Sequence, residues 1–352
     1  MEKEKILQQF QLKFPAVSAE PYGQGHINQT FLAKTSGKER YILQGINKNV
    51  FPHPEELMEN IVKVTLYLKD MIGKNGGNPE RETLTPVPAL DGKSYFKDEE
   101  GNYWRVYVFI EDAVTLNAAD QLSDFYESGI AFGRFQSMLR DFPAETLHWV
   151  IPDFHNTAKR FRIFEKTVEQ DICGRVEEVK KEIDFICQRR EEMSLLDDML
   201  KRGELPLRVT HNDTKLNNVM LDGQSHKALC VIDLDTVMPG LSVHDFGDAI
   251  RFGANTAAED EQDLDKVSLS LKLYEAYEKG FLEGCQGSLT ENEIRMLPMG
   301  AKMMTLECGM RFLTDYLSGD TYFKVTREKH NVDRCRCQLA LVADIERKWK
   351  EI

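Results

Sequence analysis

No run of apolar residues in this 352-residue chain is long enough to cross a bilayer, so a membrane-spanning reading is set aside. The N-terminal MEKEKILQQF is charged and amphipathic and lacks the apolar core of an export signal. Cysteine is sparse: seven residues, odd in number and scattered, which read as reduced thiols of a cytoplasmic protein, not as a disulfide framework. Cys335 and Cys337 lie near His330, but their i, i+2 spacing on an expected helix turns the thiols to different faces and argues against zinc. Positive charge is also short, with 45 Lys plus Arg against 58 Asp plus Glu and a net charge of −13. A nucleic-acid partner needs a basic face, so that class is excluded. No repeat or low-complexity linker is present. An apolar content of 41% and a charged content of 29% are those of an ordinary globular chain, with length for one large domain or two lobes.

The stretch from Val209 to Asp248 concentrates the polar groups that need explaining. It reads VTHNDTKLNNVML, a polar turn, then LCVIDLDTVMPGLSVHDFGD. Its apolar runs suit short buried strands, which leaves Asp213, Asn218 and Asp233 on connections and strand ends. Acids outnumber bases here, and carboxylates against apolar walls need a counter-charge, which points to a metal. Phosphoryl transfer uses this set: one Asp takes a proton from an attacking hydroxyl, while an Asn and a second Asp hold magnesium against nucleotide phosphates. His211-Asn212-Asp213, with Asn218 five residues on and Asp233-Leu234-Asp235 downstream, has the order of the kinase catalytic loop and metal-binding Asp.

A coarse pass along the chain agrees. Residues 2–13 read as a helix, and Val17–Gly25, Gln29–Thr35 and Glu39–Ile46 as strands. A helix runs from Pro54 to about Lys74, with Leu57, Ile61, Val64, Leu68 and Met71 at helical spacing. Strands follow at Ser94–Lys97 and Tyr103–Ile110, and Ile110-Glu111-Asp112 falls where an inter-lobe hinge belongs. Helical patterns dominate beyond Asp120, including Ile163–Leu200, Glu291–Leu317 and Asp333–Lys350. The acidic run 259–263 reads as a solvated helix start. The expectation is an α+β, protein-kinase-like bilobal fold. Residues 1–111 would form a nucleotide-binding lobe with a small antiparallel sheet, and residues 112–352 a helical catalytic and substrate lobe.

Gly23-Gln-Gly25-His26-Ile-Asn28 lies between the first two strands, where a glycine turn lets backbone amides approach phosphate. The third strand departs from the kinase pattern, because Gln44 stands where a phosphate-gripping Lys is expected. An amide hydrogen-bonds phosphate without neutralising it. Lys48 and Lys215 are the candidates to replace that charge. Glu59, on the following helix, is either the partner of the missing Lys or a surface carboxylate. Asp245 and His211 are expected to brace the catalytic loop.

The strings GHINQTF, YILQGIN, THNDTKLNNVML, VIDLDTVMPG, HDFGDAIR and ECGMRFLTDYLSGDTYF together resemble the N-acetylhexosamine 1-kinases, within the aminoglycoside phosphotransferase and choline kinase superfamily. The matches run from about Tyr22 to the C-terminal helix, and in that family Gln also stands in the Lys position. The resemblance implies ATP- and Mg2+-dependent phosphorylation of the anomeric hydroxyl of N-acetylglucosamine or N-acetylgalactosamine by a monomer or weak dimer. It implies Asp213 as base and Asn218, Asp233 and Asp235 around the metal. Gly23, Gly25, Gln44, Glu59 and Glu111 fall at the nucleotide, and His26, Arg311, Tyr322 and Trp349 at the sugar. Read without it, Arg311 is equally able to pair with Asp315 one turn on, and Tyr322 and Trp349 are able to serve as core aromatics. The rivals are a kinase of an aminoglycoside, choline or homoserine, and a pseudokinase, for which Gln44 is the only support. A sulfatase is excluded, because no Cys or Ser stands in a C/S-x-P-x-R setting.

Overall fold

The computed structural model describes every residue except 1, 24–26 and 120. The chain forms two compact units. Unit 1 holds Met1–Thr115, Met138–Pro152 and Asn218–Pro239; unit 2 holds Leu116–Ser137, Asp153–Asn217 and Gly240–Ile352. Unit 1 thus adds two later segments to the N-terminal residues.

In chain order unit 1 begins with α1 (Lys3–Leu7), β1 (Ala16–Pro21), β2 (Gln29–Thr35), β3 (Arg40–Ile46), α2 (Pro54–Lys74) and α3 (Pro79–Glu82). It continues with β4 (Pro86–Val87), β5 (Phe96–Lys97), β6 (Tyr103–Val108) and β7 (Ala113–Thr115). The sheet runs β1-β2-β3-β6-β4, all antiparallel, with β5 also on β6. Alternation along β6 divides its side chains between two faces. Trp104 and Val106 join Ile6, Leu7, Phe10 and Leu43 in a core under α1. Arg105 turns the other way and comes within 4.0 Å of Met58 on α2. The N-terminal helix stops at Leu7, not at residue 13, because the chain bends into a bridge between Phe10 and Ala89. The first strand ends at Pro21, and the short β4 was not foreseen, since a two-residue strand carries no periodicity.

Unit 2 opens with α4 (Leu122–Met138), α5 (Thr157–Gln170), α6 (Lys180–Cys187), α7 (Leu195–Lys201) and β8 (Arg208–Thr210). The hairpin β9 (Val219–Asp222) and β10 (Ala228–Val231) returns to unit 1 and pairs with β7. After β11 (Met238–Gly240) come α8 (Ser242–Gly253), α9 (Leu271–Cys285), α10 (Glu291–Arg295), α11 (Leu297–Leu317) and α12 (His330–Arg347). The pattern expected over 163–200 is three helices, broken by the left-handed Asp171 and by short turns. Pro298, near the start of α11, separates it from α10, because proline has no amide hydrogen to continue a helix. The run 259–263 is not a helix start: Glu259 pairs with Arg251, and Asp260 with Arg327 and His330.

Helix α8 is buried from Ser242 to Arg251. It lies against α11 where two glycines meet. A Cβ on Gly247 would stand 2.2 Å from the Gly300 carbonyl oxygen, and one on Gly300 would stand 2.1 Å from that of Val243. This close approach fixes the height of the α8 carboxylates in the unit. No described helix is long and apolar enough to cross a membrane.

Candidate active site

In unit 2 the HNDTK segment follows β8 and is held from α8. Asp245 accepts the backbone N–H of His211 at 2.9 Å and of Asn212 at 2.8 Å, and the Gln136 amide at 2.8 Å. Burial raises the Asp245 carboxyl above its usual range, against the pull of these donors. Asn212 adopts φ 63°, a left-handed conformation that Asn tolerates. His211 is buried edge-on to Phe132 and Phe135, and its Nδ1 accepts the Asp213 amide at 3.3 Å. It therefore braces the loop.

Asp213 pairs with Lys215 at 2.8 Å. Burial alone would lower the Lys215 pKa, but Asp213 and Asp248 outweigh it and the net shift is upward, so Lys215 stays protonated. Asp248 accepts the Thr214 amide at 3.0 Å and pairs with Arg251 at 2.8 Å. Burial would raise Asp248, and the Arg251 and Lys215 charges hold it below the ordinary carboxylate range. A second cluster in the same unit surrounds Glu307. Its carboxylate meets His155 at 3.0 Å and Thr157 at 2.6 Å, with Arg160 at 3.5 Å. Burial opposes its ionisation, but His155, Arg160 and Arg311 bring the carboxyl down to about 2.

Arg311 does not pair with Asp315. That carboxylate instead accepts the amides of Thr321, Tyr322 and Phe323 at 2.8–2.9 Å, together with Asn331 at 3.0 Å. The Arg311 guanidinium lies over Phe154 and Phe323, 5.6 and 5.5 Å from their ring centroids, within cation–π range. It forms no ion pair or hydrogen bond with any described residue. Burial, and then the Arg311 charge, lower the Arg160 pKa; Tyr322 acts the other way. Tyr322 packs edge-on to Phe323, the ring under Arg311, and is 69% exposed. Trp349 lies instead beside Lys302, whose ammonium is 5.9 Å from its ring. Nine residues of helix, roughly 13 Å, separate Lys302 from Arg311. His26 lies outside the described residues. Phe154, His155 and Arg160 were missed from sequence, since no motif marks them; Glu307 and Phe323 are the two ends of the string ECGMRFLTDYLSGDTYF but were given no role.

In unit 1 the β9–β10 hairpin brings Asn218 and Asp233 to one end, where the Ile232 amide donates to the Asn218 carbonyl at 2.9 Å. Asp233 adopts φ 58°, ψ 59° at the start of the turn that carries Asp235. Asp235 is buried and paired with Arg105, and its other oxygen accepts Asn28 Nδ2 at 2.6 Å. Arg105, 1% exposed, faces Gln44 across the β3–β6 ladder and donates from Nε to Gln44 Oε1 at 3.0 Å. Burial would lower the Arg105 pKa, but Asp235 and then Tyr107 and Asp233 raise it overall. Gln44 donates in turn to Thr30 at 3.0 Å.

The other nucleotide-side candidates are placed as follows. Gly23 has φ 77°, a glycine conformation, and Gly25 lies outside the described residues. Glu59 is half-exposed and meets His148 at 2.7 Å and Lys63 at 3.9 Å. Glu111 pairs with Arg40, and its carbonyl accepts Arg81 at 2.9 Å. Lys48 donates to the Gly101 carbonyl at 2.7 Å. The oxygen donors Asn218 and Asp233 suit a hard cation such as magnesium. Among the described residues no group of three or more His, Cys, Asp or Glu forms a closed metal cage.

Three solved structures share this fold over nearly all of both chains. An aminoglycoside phosphotransferase from Alicyclobacillus acidocaldarius has a TM-score of 0.63 and 11% identity, covering 99% of this chain and 96% of that one. A spectinomycin phosphotransferase solved with ADP and spectinomycin has 0.60 and 12%, covering 99% and 98%. A microcompartment-associated aminopropanol kinase has 0.59 and 14%, covering 99% and 97%. The phosphotransferase enzyme family matches residues 18–279, about three quarters of the sequence, including the HNDTK segment and the β9–β10 hairpin but not Arg311 or Tyr322. With that span, and with the loop bracing and hairpin described above, the chain belongs to the phosphotransferase enzyme family of kinase-like fold.

Proposed function

We propose that this protein is an ATP- and magnesium-dependent kinase that phosphorylates the anomeric hydroxyl of N-acetylhexosamines. The observation that carries the acceptor side is Arg311, a guanidinium with no ion pair or hydrogen bond among the described residues, over Phe154 and Phe323, with Tyr322 packed on Phe323. Directed donors together with flat aromatic faces suit a neutral sugar amide and its C–H faces. A cationic acceptor such as choline or an aminoglycoside would meet two guanidiniums and one carboxylate that is already engaged. That electrostatic balance favours the neutral sugar.

In this reading Asp213 orients the acceptor hydroxyl and takes its proton. The anomeric hydroxyl is more acidic than other sugar hydroxyls and suits a carboxylate base. Lys215 holds Asp213 in place and offers positive charge to the transferring phosphoryl. Asn218 and Asp233 hold the divalent cation, which when bound offsets phosphate charge.

ADP release measured with N-acetylglucosamine, N-acetylgalactosamine, choline and kanamycin tests this. Turnover with the amino sugars alone, dependent on Mg2+ and lost in Asp213→Asn, is the expected result. Activity confined to choline or kanamycin would overturn the substrate assignment. Tight ATP binding without turnover on any acceptor would overturn the enzyme assignment.

A further inference from the structure

We infer that Arg105 is the positioning cation of the nucleotide side: from β6 it holds the turn that carries Asp233, on the strand pair where kinase-like folds place a phosphate-gripping lysine. The inference rests on the kinase reading above. It begins from a vacancy in the sequence, Gln44 in the lysine position, which neither sequence candidate fills: Lys48 is spent on Gly101 and Lys215 on Asp213. Directly across the ladder from Gln44 lies Arg105, a buried cation of this face. A guanidinium buried to this degree persists only when its donors are matched. Here Nε is held by Gln44 and Nη1 by Asp235.

The Asp235 carboxylate is shared. Its second oxygen takes Asn28 Nδ2 at 2.6 Å, and Asn28 Oδ1 accepts the Asn47 amide at 3.0 Å. Arg105 therefore ties the turn that begins at Asp233 to β2, to β3 and to the chain just after β3. Asp233 itself sits in a left-handed conformation that needs such anchoring. With both oxygens of Asp235 committed, the cation's protein ligands in this reading are Asp233 and Asn218, chosen by residue type and place on the hairpin. Asp235 is then a positioning residue, not a ligand, in spite of its place in the Asp-Leu-Asp motif.

The test compares ADP affinity, by calorimetry, in Mg2+ and in EDTA for wild type, Arg105→Gln, Arg105→Lys and the swap Gln44→Lys/Arg105→Gln. Melting curves monitor folding. Arg105→Gln should weaken Mg-ADP binding by about tenfold or more, the usual effect of losing a residue behind a metal ligand. Affinity in EDTA and the acceptor KM should change by less than about threefold. The swap returns the charge to the third strand and should recover most of the Mg2+-dependent affinity, whereas Arg105→Lys, lacking the planar fork, should recover only part. A folded Arg105→Gln that binds Mg-ADP like wild type overturns the inference. If Arg105→Gln does not fold, a folded swap without Mg2+-dependent binding overturns it equally. Wild type showing no Mg2+-dependent ADP binding would instead bring down the kinase reading itself.

Discussion

Two residues carry the proposed acceptor chemistry. Arg311 was expected to bind substrate or to pair with Asp315; the structure gives Asp315 to three backbone amides and leaves Arg311 unspent. Arg311→Ala is expected to raise the acceptor KM by about ten- to a hundredfold, the loss of charge-assisted hydrogen bonds worth roughly 1.5–3 kcal/mol, with KM for ATP unchanged. Steady-state kinetics in both substrates check this. Asp213→Asn should instead lower kcat by about 10²–10⁴ with a melting temperature near wild type. Protonation gives a further expectation. Burial and the neighbouring His155 push His244 down to about 3, so the unfolded chain takes up this proton first. Stability is therefore lost as pH falls from about 6.5 toward 3. Glu307, brought down to about 2, adds a second loss between about 4.5 and 2. His244→Asn should flatten the melting temperature between pH 6.5 and 4.5, and Glu307→Gln only below 4.5.

Among the elements, α8 carries the bracing of the HNDTK segment. HDFGDAIR supplies Asp245 to the amides of His211 and Asn212, and Asp248 to that of Thr214. Its closeness to α11 depends on Gly247 facing Gly300. Gly247→Ala must push the helices apart and is expected to destabilise by about 1–3 kcal/mol, with a loss of kcat larger than the change in either KM. Chemical denaturation and kinetics on the same sample check this. Long elements with a clear period, such as α2 and α11, were legible in the sequence because periodicity averages over many residues. Short ones were not: β4 has two residues, and the break after α5 is a single left-handed Asp171.

At the scale of the molecule, membership of the phosphotransferase enzyme family predicts linkage between nucleotide, metal and stability. Mg-ADP at about a hundred times its Kd should stabilise the fold by about 2.7 kcal/mol, and EDTA should remove most of that shift. A thermal melt at several ligand concentrations measures it; a melt indifferent to Mg-ADP would contradict the kinase assignment. The motif Asp213, Asn218, Asp233, the antiparallel sheet and the helical second half were all readable from the chain. They depend on residue type, spacing and local period, which are properties of adjacent residues. Tertiary structure alone decided that Arg105 faces Gln44 across the ladder, that Asp235 pairs with it, and that among the described residues Asp315 is spent on backbone amides while Arg311 is not paired with it. Each of these joins residues distant in sequence through strand register or a folded-back loop, and the cost of leaving a charge unpaired in the interior selects the partners.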